Sequence, residues 1–206
     1  MNSDDLLLSV AVVAVVVSLL GMGMTYYSVD NFKKTWVTGF AVTDTAIVNL
    51  TVESNLAINF TTDLIEFGSG QVDAGASNAT LDTAAGTVTN GNWTVVTQGF
   101  VLENIGNVDA NLSFKTGKTA GEFIGGAAAG GPQYKWNVTN NEAGSCEATS
   151  GFTLGAWNDY NTSGVEVCDV FYANDTKDAL RIDIFLLIPS DSKTGTLTDT
   201  VTATAV

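Results

Sequence analysis

The sequence of 206 residues contains no histidine, and its 8 basic residues are outnumbered by 22 acidic ones. Without imidazole, the chain cannot build a Ser-His-Asp or Cys-His triad or a histidine-ligated metal site. A net charge of −14 also repels the phosphate backbone of nucleic acids and anionic membrane surfaces. We therefore expect no enzymatic activity, no catalytic, cofactor-binding or metal-binding residues, no cofactor and no nucleic-acid partner.

Charged residues of both signs make up only 15% of the chain, and mean hydropathy is positive (+0.20) despite the acidity. The apolar residues are concentrated in residues 6–24, LLLSVAVVAVVVSLLGMGM, which contain no charge. As a helix rising about 1.5 Å per residue, this run spans roughly 28 Å, close to the hydrocarbon thickness of a bilayer. Because the run is apolar on every side, its surroundings must be lipid or a bundle of similar helices.

Three interpretations of this run compete. A cleaved secretory signal normally begins with basic residues, whereas residues 1–5 carry two acids and no base. A permanent anchor would place Lys33 and Lys34 inside the cell, although the sugar-acceptor sites described below place that side outside. The third interpretation resolves both conflicts: Met1 lies near a processed N-terminus, and the helix later leaves the membrane to pack with copies of itself.

A strand is the alternative to a helix in part of this run. Residues 10–17 are rich in valine, whose β-branched side chain favours strand over helix in water. In that version, residues 10–17 would enter the sheet of the next subunit as a donor strand.

An aromatic segment follows the apolar run. Residues 25–36, TYYSVDNFKKTW, contain Tyr26, Tyr27, Phe32 and Trp36 at spacings that suit a continuing helix. We therefore divide the chain into residues 1–36, a hydrophobic helix with an aromatic neck, and residues 37–206, a head domain.

The head domain has the two-residue period of β-strands. Val48, Leu50 and Val52 alternate with polar residues, and similar runs occur at 56–60, 180–188 and 196–206. We count seven to nine strands at a spacing typical of a β-sandwich. The predicted fold class is α+β, with one long N-terminal hydrophobic α-helix followed by an all-β globular domain.

Turn signals predict how some of these strands connect. Asn90 and Gly91 separate residues 87–89 from 92–95 and predict a hairpin. Residues 104–107 predict a second hairpin, which joins residues 95–103 to 108–114. The Gly- and Ala-rich residues 117–131 indicate a loop. Residues 140–178 show little periodicity and are predicted to be an irregular excursion.

Cys146 and Cys168 are the only cysteines, and their spacing matches no zinc or redox motif. A disulfide is the simpler interpretation, with two free buried thiols as the alternative. Closing the loop between them would stabilise the fold by about 3 kcal/mol in the chain-entropy model. A disulfide also indicates an oxidising, extracellular compartment.

Eight Asn-x-Ser/Thr sequons are candidate N-glycosylation sites. Asn49, Asn59, Asn111 and Asn137 are out of phase with their apolar neighbours, so we expect them to face solvent, where a glycan would not disturb the core. The alternative is that outward faces rich in Thr and Asn produce sequons incidentally. The candidates are Asn49, Asn59, Asn78, Asn92, Asn111, Asn137, Asn161 and Asn174.

The combination of apolar helix, aromatic neck and acidic β-domain with many sequons resembles archaeal type IV-like pilins. The head also looks like the immunoglobulin-like β-sandwiches of surface filaments and adhesins, in which a stretch such as residues 101–107, VLENIGN, joins two strands. The resemblance implies export, leader cleavage, a pool of subunits held in the membrane, and a helical homopolymer with the heads outside.

The helix is then the polymerisation element, and adhesion or cell contact is the expected role, with a host or neighbouring cell surface as a further partner. The competing expectation is a membrane-anchored surface glycoprotein or adhesin that does not polymerise. The resemblance assigns the packing in the filament to Leu6, Leu7, Leu8, Val10, Val12, Val13, Val15, Val16, Val17, Leu19 and Leu20.

Overall fold

A computed structural model describes residues 3–35 and 46–206, with side chains described for residues 7–28 and 46–206. By contacts, the chain forms two compact units, Met1–Thr51 and Val52–Val206. The second unit is called the β-domain below. The boundary expected between residues 36 and 37, including the neck residue Trp36, lies outside the described residues.

The first unit contains one long helix, α1 (Ser3–Thr35), which extends beyond both ends of the predicted apolar run. Residues 10–17 are helical throughout in the single chain, whereas the donor-strand alternative concerns this segment in the assembled state and stays a prediction. An α-helix satisfies every backbone hydrogen bond within the segment, which an apolar medium requires and which outweighs the strand preference of valine. Leu7–Ser28 is long and apolar enough to cross a membrane, by length and composition.

The second unit is built from short strands, as the two-residue period predicts. They are β1 (Ile58–Thr62), β2 (Asn78–Asp82), β3 (Thr87–Thr89), β4 (Phe100–Asn104), β5 (Ala110–Thr116), β6 (Gln133–Asn140), β7 (Cys146–Ala148), β8 (Trp157–Asp159), β9 (Val165–Phe171), β10 (Ala179–Pro189) and β11 (Val201–Ala205). The loop predicted at 117–131 contains a short helix, α2 (Ala120–Phe123), and one 3₁₀ turn (Ala128–Gly130).

These strands form two antiparallel sheets, and the α+β class is confirmed. In the seven-stranded sheet, β10 pairs with β6 along one edge, while β4 and then β2 share its other edge. Strands β1, β3 and β8 extend this sheet beyond β4, β2 and β6. The second sheet has the order β11-β5-β9-β7.

The core lies between the two sheets. Alternate residues of β10 from Leu180 to Ile188 are buried, and they share one apolar cluster with Leu112 and Phe114 of β5. The rings of Phe114 and Trp136, one from each sheet, are 5.3 Å apart between centroids. The β-domain is therefore a β-sandwich, and its described residues form eleven strands where the sequence predicts seven to nine.

Neither predicted hairpin is present. Strand β3 pairs with β2 before the Asn90-Gly91 turn is reached, so that turn joins no pair of strands. Residues 104–107 lead from β4 in one sheet to β5 in the other. The buried Asn104 amide explains this crossing, because its Nδ2 donates to the carbonyls of Val108 (3.0 Å) and of Phe171 on β9 (3.2 Å).

The prediction of an irregular excursion over residues 140–178 is also wrong, because these residues contain β7, β8 and β9. The predicted disulfide is present: Cys146 on β7 is bonded to Cys168 on β9, with the two Cα atoms 5.5 Å apart. It joins the two strands at one edge of the four-stranded sheet and so lies within regular structure.

The alternation at Val48, Leu50 and Val52 does not produce a strand in this structure. Residues 46–52 belong to no strand, and their side chains are exposed, to 91% at Val48 and 83% at Leu50. We call residues 46–52 the unpaired segment. It has the sequence pattern of a strand but no sheet neighbour among the described residues.

Candidate functional site

The surface of α1 is the first candidate site. Of the residues assigned to packing in a filament, Leu6 has no described side chain, and the other ten are all exposed. They surround the whole circumference of the helix. Burying a side chain of this kind is worth about 1.5–3 kcal/mol relative to water, so an apolar environment would stabilise the helix, and the residues that the structure describes do not cover it.

Two hydroxyl groups within Leu7–Ser28 form hydrogen bonds inside the helix. The Ser18 hydroxyl donates to the Ala14 carbonyl (2.8 Å), and the Thr25 hydroxyl donates to the Gly21 carbonyl (2.7 Å). Both hydroxyls therefore have an acceptor inside the helix and need no hydrogen bond from lipid or from a partner. Tyr26 and Tyr27 of the predicted neck are also exposed.

One side of α1 carries small residues, a feature that can be read from their spacing in the sequence. Ala11, Ala14, Ser18, Gly21 and Thr25 follow one another at spacings of three and four, which places them on one face. A Cβ atom at Gly21 would meet nothing within 4 Å, so the helix itself does not require glycine there. Small residues in this pattern allow the backbone of another helix to approach closely.

The acceptor asparagines are the second candidate site, and their burial divides them into three groups. Asn49, Asn59, Asn92, Asn161 and Asn174 are exposed, Asn78 and Asn111 are half-buried, and Asn137 is buried. Asn49 and Asn59 thus face solvent as expected. A sugar can be transferred only to an amide that an external group can reach, so the three groups differ as acceptors.

The expectation that Asn137 faces solvent is wrong. Asn137 does lie on the opposite face of β6 from Trp136 and Val138, but only 9% of it is exposed. Its neighbours across the sheet are Asp183 on β10 and Trp157 on β8. This outer face is covered in part, because the ring of Trp157 lies 5.7 Å from that of Phe185. The sequence does contain a sign of this burial, because β10, which pairs with β6, has apolar residues on both of its faces.

Asn161 and Asn174 have the geometry that best suits modification. The Asn161 Oδ1 accepts from the backbone N–H of Ser163 at 2.7 Å. The Asn174 Oδ1 accepts from the N–H of Thr176 (3.2 Å) and from its hydroxyl (2.8 Å). Each asparagine is thus held by the hydroxyl residue of its own sequon, and its Nδ2, the atom that would carry the sugar, makes no hydrogen bond among the described residues.

The amides of Asn111 and Asn92 instead make contacts outside their own sequons. The Nδ2 of Asn111 donates to the carboxylate of Glu166, so a glycan there would require the loss of that bond. The Oδ1 of Asn92 accepts from the N–H of Gln71 at 2.7 Å. The structure therefore ranks exposed Asn161 and Asn174 above the half-buried Asn111, and all three above Asn137.

The perturbed titratable groups of the β-domain have structural causes. Burial raises the pKa of Tyr134 and of Tyr160, and the nearby Asp199 adds to both shifts. Burial, followed by the charge of Glu142, raises the pKa of Asp178. In residues 3–35 and 46–206, no three His, Cys, Asp or Glu residues lie close enough together to hold a metal ion.

Comparison of this chain with models of protein families, with curated protein sequences and with solved structures finds no match.

Proposed function

We propose that this protein is the structural subunit, a pilin, of an extracellular filament that serves adhesion or cell contact. In this proposal the subunits polymerise through α1 into a helical homopolymer, with the β-domains outside. The observation that carries the proposal is the fully exposed apolar circumference of Leu7–Ser28 on a chain whose other described domain buries its own core.

Two environments suit such a helix, namely lipid before assembly and a bundle of identical helices afterwards. Transfer between them keeps the apolar surface out of water, so specific packing decides the direction. The face of small residues from Ala11 to Thr25 supports close packing of that kind. A contact that joins one surface of a subunit to a different surface of the next, without closing a ring, produces an open filament.

The β-domain supports an exported location. Its disulfide is a bond that persists in oxidising compartments. Its exposed sequons would carry glycans on the outside of the filament, with Asn161 and Asn174 as the first acceptors. The partners in this proposal are further copies of the chain, the membrane before assembly, and a host or neighbouring cell surface. Nucleic acid is not a partner of so acidic a chain.

Electron microscopy of cells that produce the protein tests the proposal. We expect antibodies against the β-domain to label uniform filaments on the surface, and we expect sheared filaments to contain the protein without lipid. Quantitative retention in the membrane fraction, with no labelled filament, would contradict the proposal. That result would favour a membrane-anchored surface glycoprotein or adhesin that does not polymerise.

Glycan occupancy is tested by mass spectrometry of peptides from the native protein. We expect sugar at Asn161 and Asn174 and none at Asn137. Because Asn137 shares the Asn-x-Thr sequon of Asn174 but differs from it in accessibility, the unmodified Asn137 is an internal control. Modification of Asn137 would require that the sugar is added before β6 joins the sheet.

A further inference from the structure

The unpaired segment has the composition of a strand but no strand beside it. Val48, Leu50 and Val52 have exposed fractions of 91%, 83% and 72%, and Asn49 and Thr51 alternate with them. Such a segment leaves backbone donors and acceptors open to any sheet edge that offers the complementary groups. An alternating apolar strip of this kind is stable only when one of its faces is covered.

Three hydrogen bonds fasten the chain immediately after this segment to the β-domain. The Asn107 Nδ2 donates to the Glu53 carbonyl (2.9 Å), and the Asn107 N–H donates to the Asn55 carbonyl (2.9 Å). The Asn55 N–H in turn donates to the Asn107 Oδ1 (2.6 Å). These bonds commit residues 53–55 to their own β-domain. Residues 46–52 have no such bonds to the other described residues, so they are available to another molecule.

One sheet edge in the β-domain matches this segment. The backbone groups of Asn111 and Val206 bond each other in both directions, and pairing continues without a bulge along β11 and β5. Antiparallel pairs alternate, so Thr202 and Thr204 also bond to β5. The N–H and C=O groups of Val201, Ala203 and Ala205 then point to the open edge of the sheet.

The side chains at that edge leave part of the core uncovered. Val201, Ala203 and Ala205 pack against the core beside the buried residues of β5, yet all three remain half-exposed. Alanine is too small to close the edge. A neighbouring strand with larger apolar side chains on the same face would cover it, and Val48, Leu50 and Val52 supply that face.

The pattern, the length and the charge of the two elements agree. Residues 48–52 and β11 are both five residues long, and each has three apolar residues alternating with two polar ones. Neither contains a charged side chain, although the chain carries a net charge of −14 that opposes contact between most surfaces of two copies.

The other open edges fit less well. Strands β3, β7 and β8 have only three residues each, and β7 and β8 carry the acids Glu147 and Asp159. Strand β1 has five residues, but its pairing with β4 shifts register between Phe60 and Thr62. Among the described strands, β11 therefore offers the best regular, uncharged edge of matching length.

We propose that residues 48–52 of one subunit add as a further strand to β11 of a second copy. This inference rests on the proposed function in one respect: it requires that copies of the chain come together. It goes beyond packing of α1, because it adds a backbone-paired contact between the β-domain of one subunit and the segment that precedes the β-domain of the next.

Hydrogen exchange of the full-length protein in detergent micelles, resolved by residue and measured at increasing protein concentration, tests the pairing. We expect the amides of Val201, Ala203 and Ala205 and alternate amides of residues 48–52, namely those that point to β11, to slow together by about tenfold or more. Thr202 and Thr204 are already bonded to β5 and should change little. Exchange that is independent of concentration, whether fast or slow, would contradict pairing between copies.

Matched variants make the test specific. Leu50→Ser removes the central apolar side chain, whereas Thr51→Ser changes its polar neighbour, and both keep the sequon of Asn49. Both positions are exposed in the single chain, so the β-domain should fold in each variant. We expect the concentration-dependent slowing to be lost in Leu50→Ser and kept in Thr51→Ser. Equal behaviour of the two variants would overturn the proposal.

A variant of the receiving edge provides an independent test. Ala203→Pro removes an N–H that points to the open edge and does not bond to β5, and proline is tolerated at such positions of edge strands. We expect it to abolish the slowing of residues 48–52. Microscopy of the same samples separates the two proposals: filaments with unslowed amides contradict strand pairing alone, whereas slowed amides without filaments contradict the filament proposal alone.

Discussion

The two units of this chain handle apolar side chains in opposite ways. In the β-domain, large apolar residues such as Phe114 and Trp136 are buried between two sheets. In α1, residues of similar hydrophobicity such as Leu7 and Leu20 are exposed on every side. The β-domain is therefore stabilised by its own contacts, whereas α1 depends on lipid or on other molecules. The function should therefore be sought at the surface of the helix.

The same contrast holds for polar groups. Arg181 and Asp183 of β10 form a partly buried ion pair at 2.7 Å, and Thr83 donates to the same carboxylate at 2.8 Å. Polar groups of the β-domain thus join distant parts of the chain. Ser18 and Thr25 of α1 instead bond only to the preceding turn of their own helix. The β-domain is cross-linked internally, whereas Leu7–Ser28 of α1 presents an apolar surface.

The largest expected effect comes from truncating one apolar residue in each unit. Phe114→Ala should lower the free energy of unfolding of the β-domain by about 3–5 kcal/mol, because it leaves a cavity beside Trp136. Val12→Ala should leave that free energy unchanged, because Val12 lies on α1 and is exposed. Denaturation of both variants in detergent, followed by tryptophan fluorescence, measures the two values. Equal losses of unfolding free energy in the two variants would contradict this difference between α1 and the β-domain.

The next largest effect concerns the disulfide. Replacing Cys146 and Cys168 together with serine should destabilise the β-domain by about 3 kcal/mol in the chain-entropy model. The helical circular dichroism of α1 in micelles should not change, since the bond joins β7 to β9. Loss of helical signal in the double variant would show that the two units depend on each other.

A smaller effect tests which face of the helix packs. Gly21→Leu would place a large side chain on the face of small residues, and we expect it to disfavour helix association by about 1–3 kcal/mol. Gly23→Leu is the matched control, because a Cβ at either glycine meets nothing within 4 Å but Gly23 lies off that face. Filament yield from equal amounts of subunit measures both. A stronger defect in Gly23→Leu would assign packing to another face.

The smallest effect is a pH dependence in the β-domain. Because burial and neighbouring acids raise the pKa of Asp178, its charged form is disfavoured in the folded state. Asp178→Asn should therefore raise the urea midpoint slightly at pH 7. The gain should fade as the pH falls through the folded-state pKa of this carboxyl. Urea titrations of both proteins at pH 7 and pH 3 measure this gain in midpoint. A gain that is larger at pH 3 than at pH 7 would contradict the expected direction.

The sequence predicts the features that depend on local pattern. The apolar run at residues 6–24 indicates α1, and the alternation at residues 180–188 indicates the central strand β10. The presence of only two cysteines, at a spacing that matches no metal or redox motif, predicts the disulfide between them. Each of these inferences needs only the side chains of one segment or, for the disulfide, the chemistry of two residues.

Features that depend on distant partners could not be predicted in the same way. The turn signal at Asn90-Gly91 does not identify the strand that lies beside β3. In the structure β3 pairs with β2, and so the predicted hairpin does not form. Asn137 has the phase of an exposed residue, yet Asp183 and Trp157 flank it from two other strands. The strand pattern of residues 48–52 is present in the sequence, but the part of the chain that the structure describes holds no strand beside it.

The central claim is that the apolar surface of α1 is covered by other copies of α1 in a filament. Electron cryo-microscopy of filaments sheared from the cell surface tests it most directly. We expect continuous helical density for Leu7–Ser28 near the filament axis, in contact with the same residues of neighbouring subunits and without lipid. Filaments in which this segment is cleaved off, extended as a strand or embedded in lipid would contradict the claim.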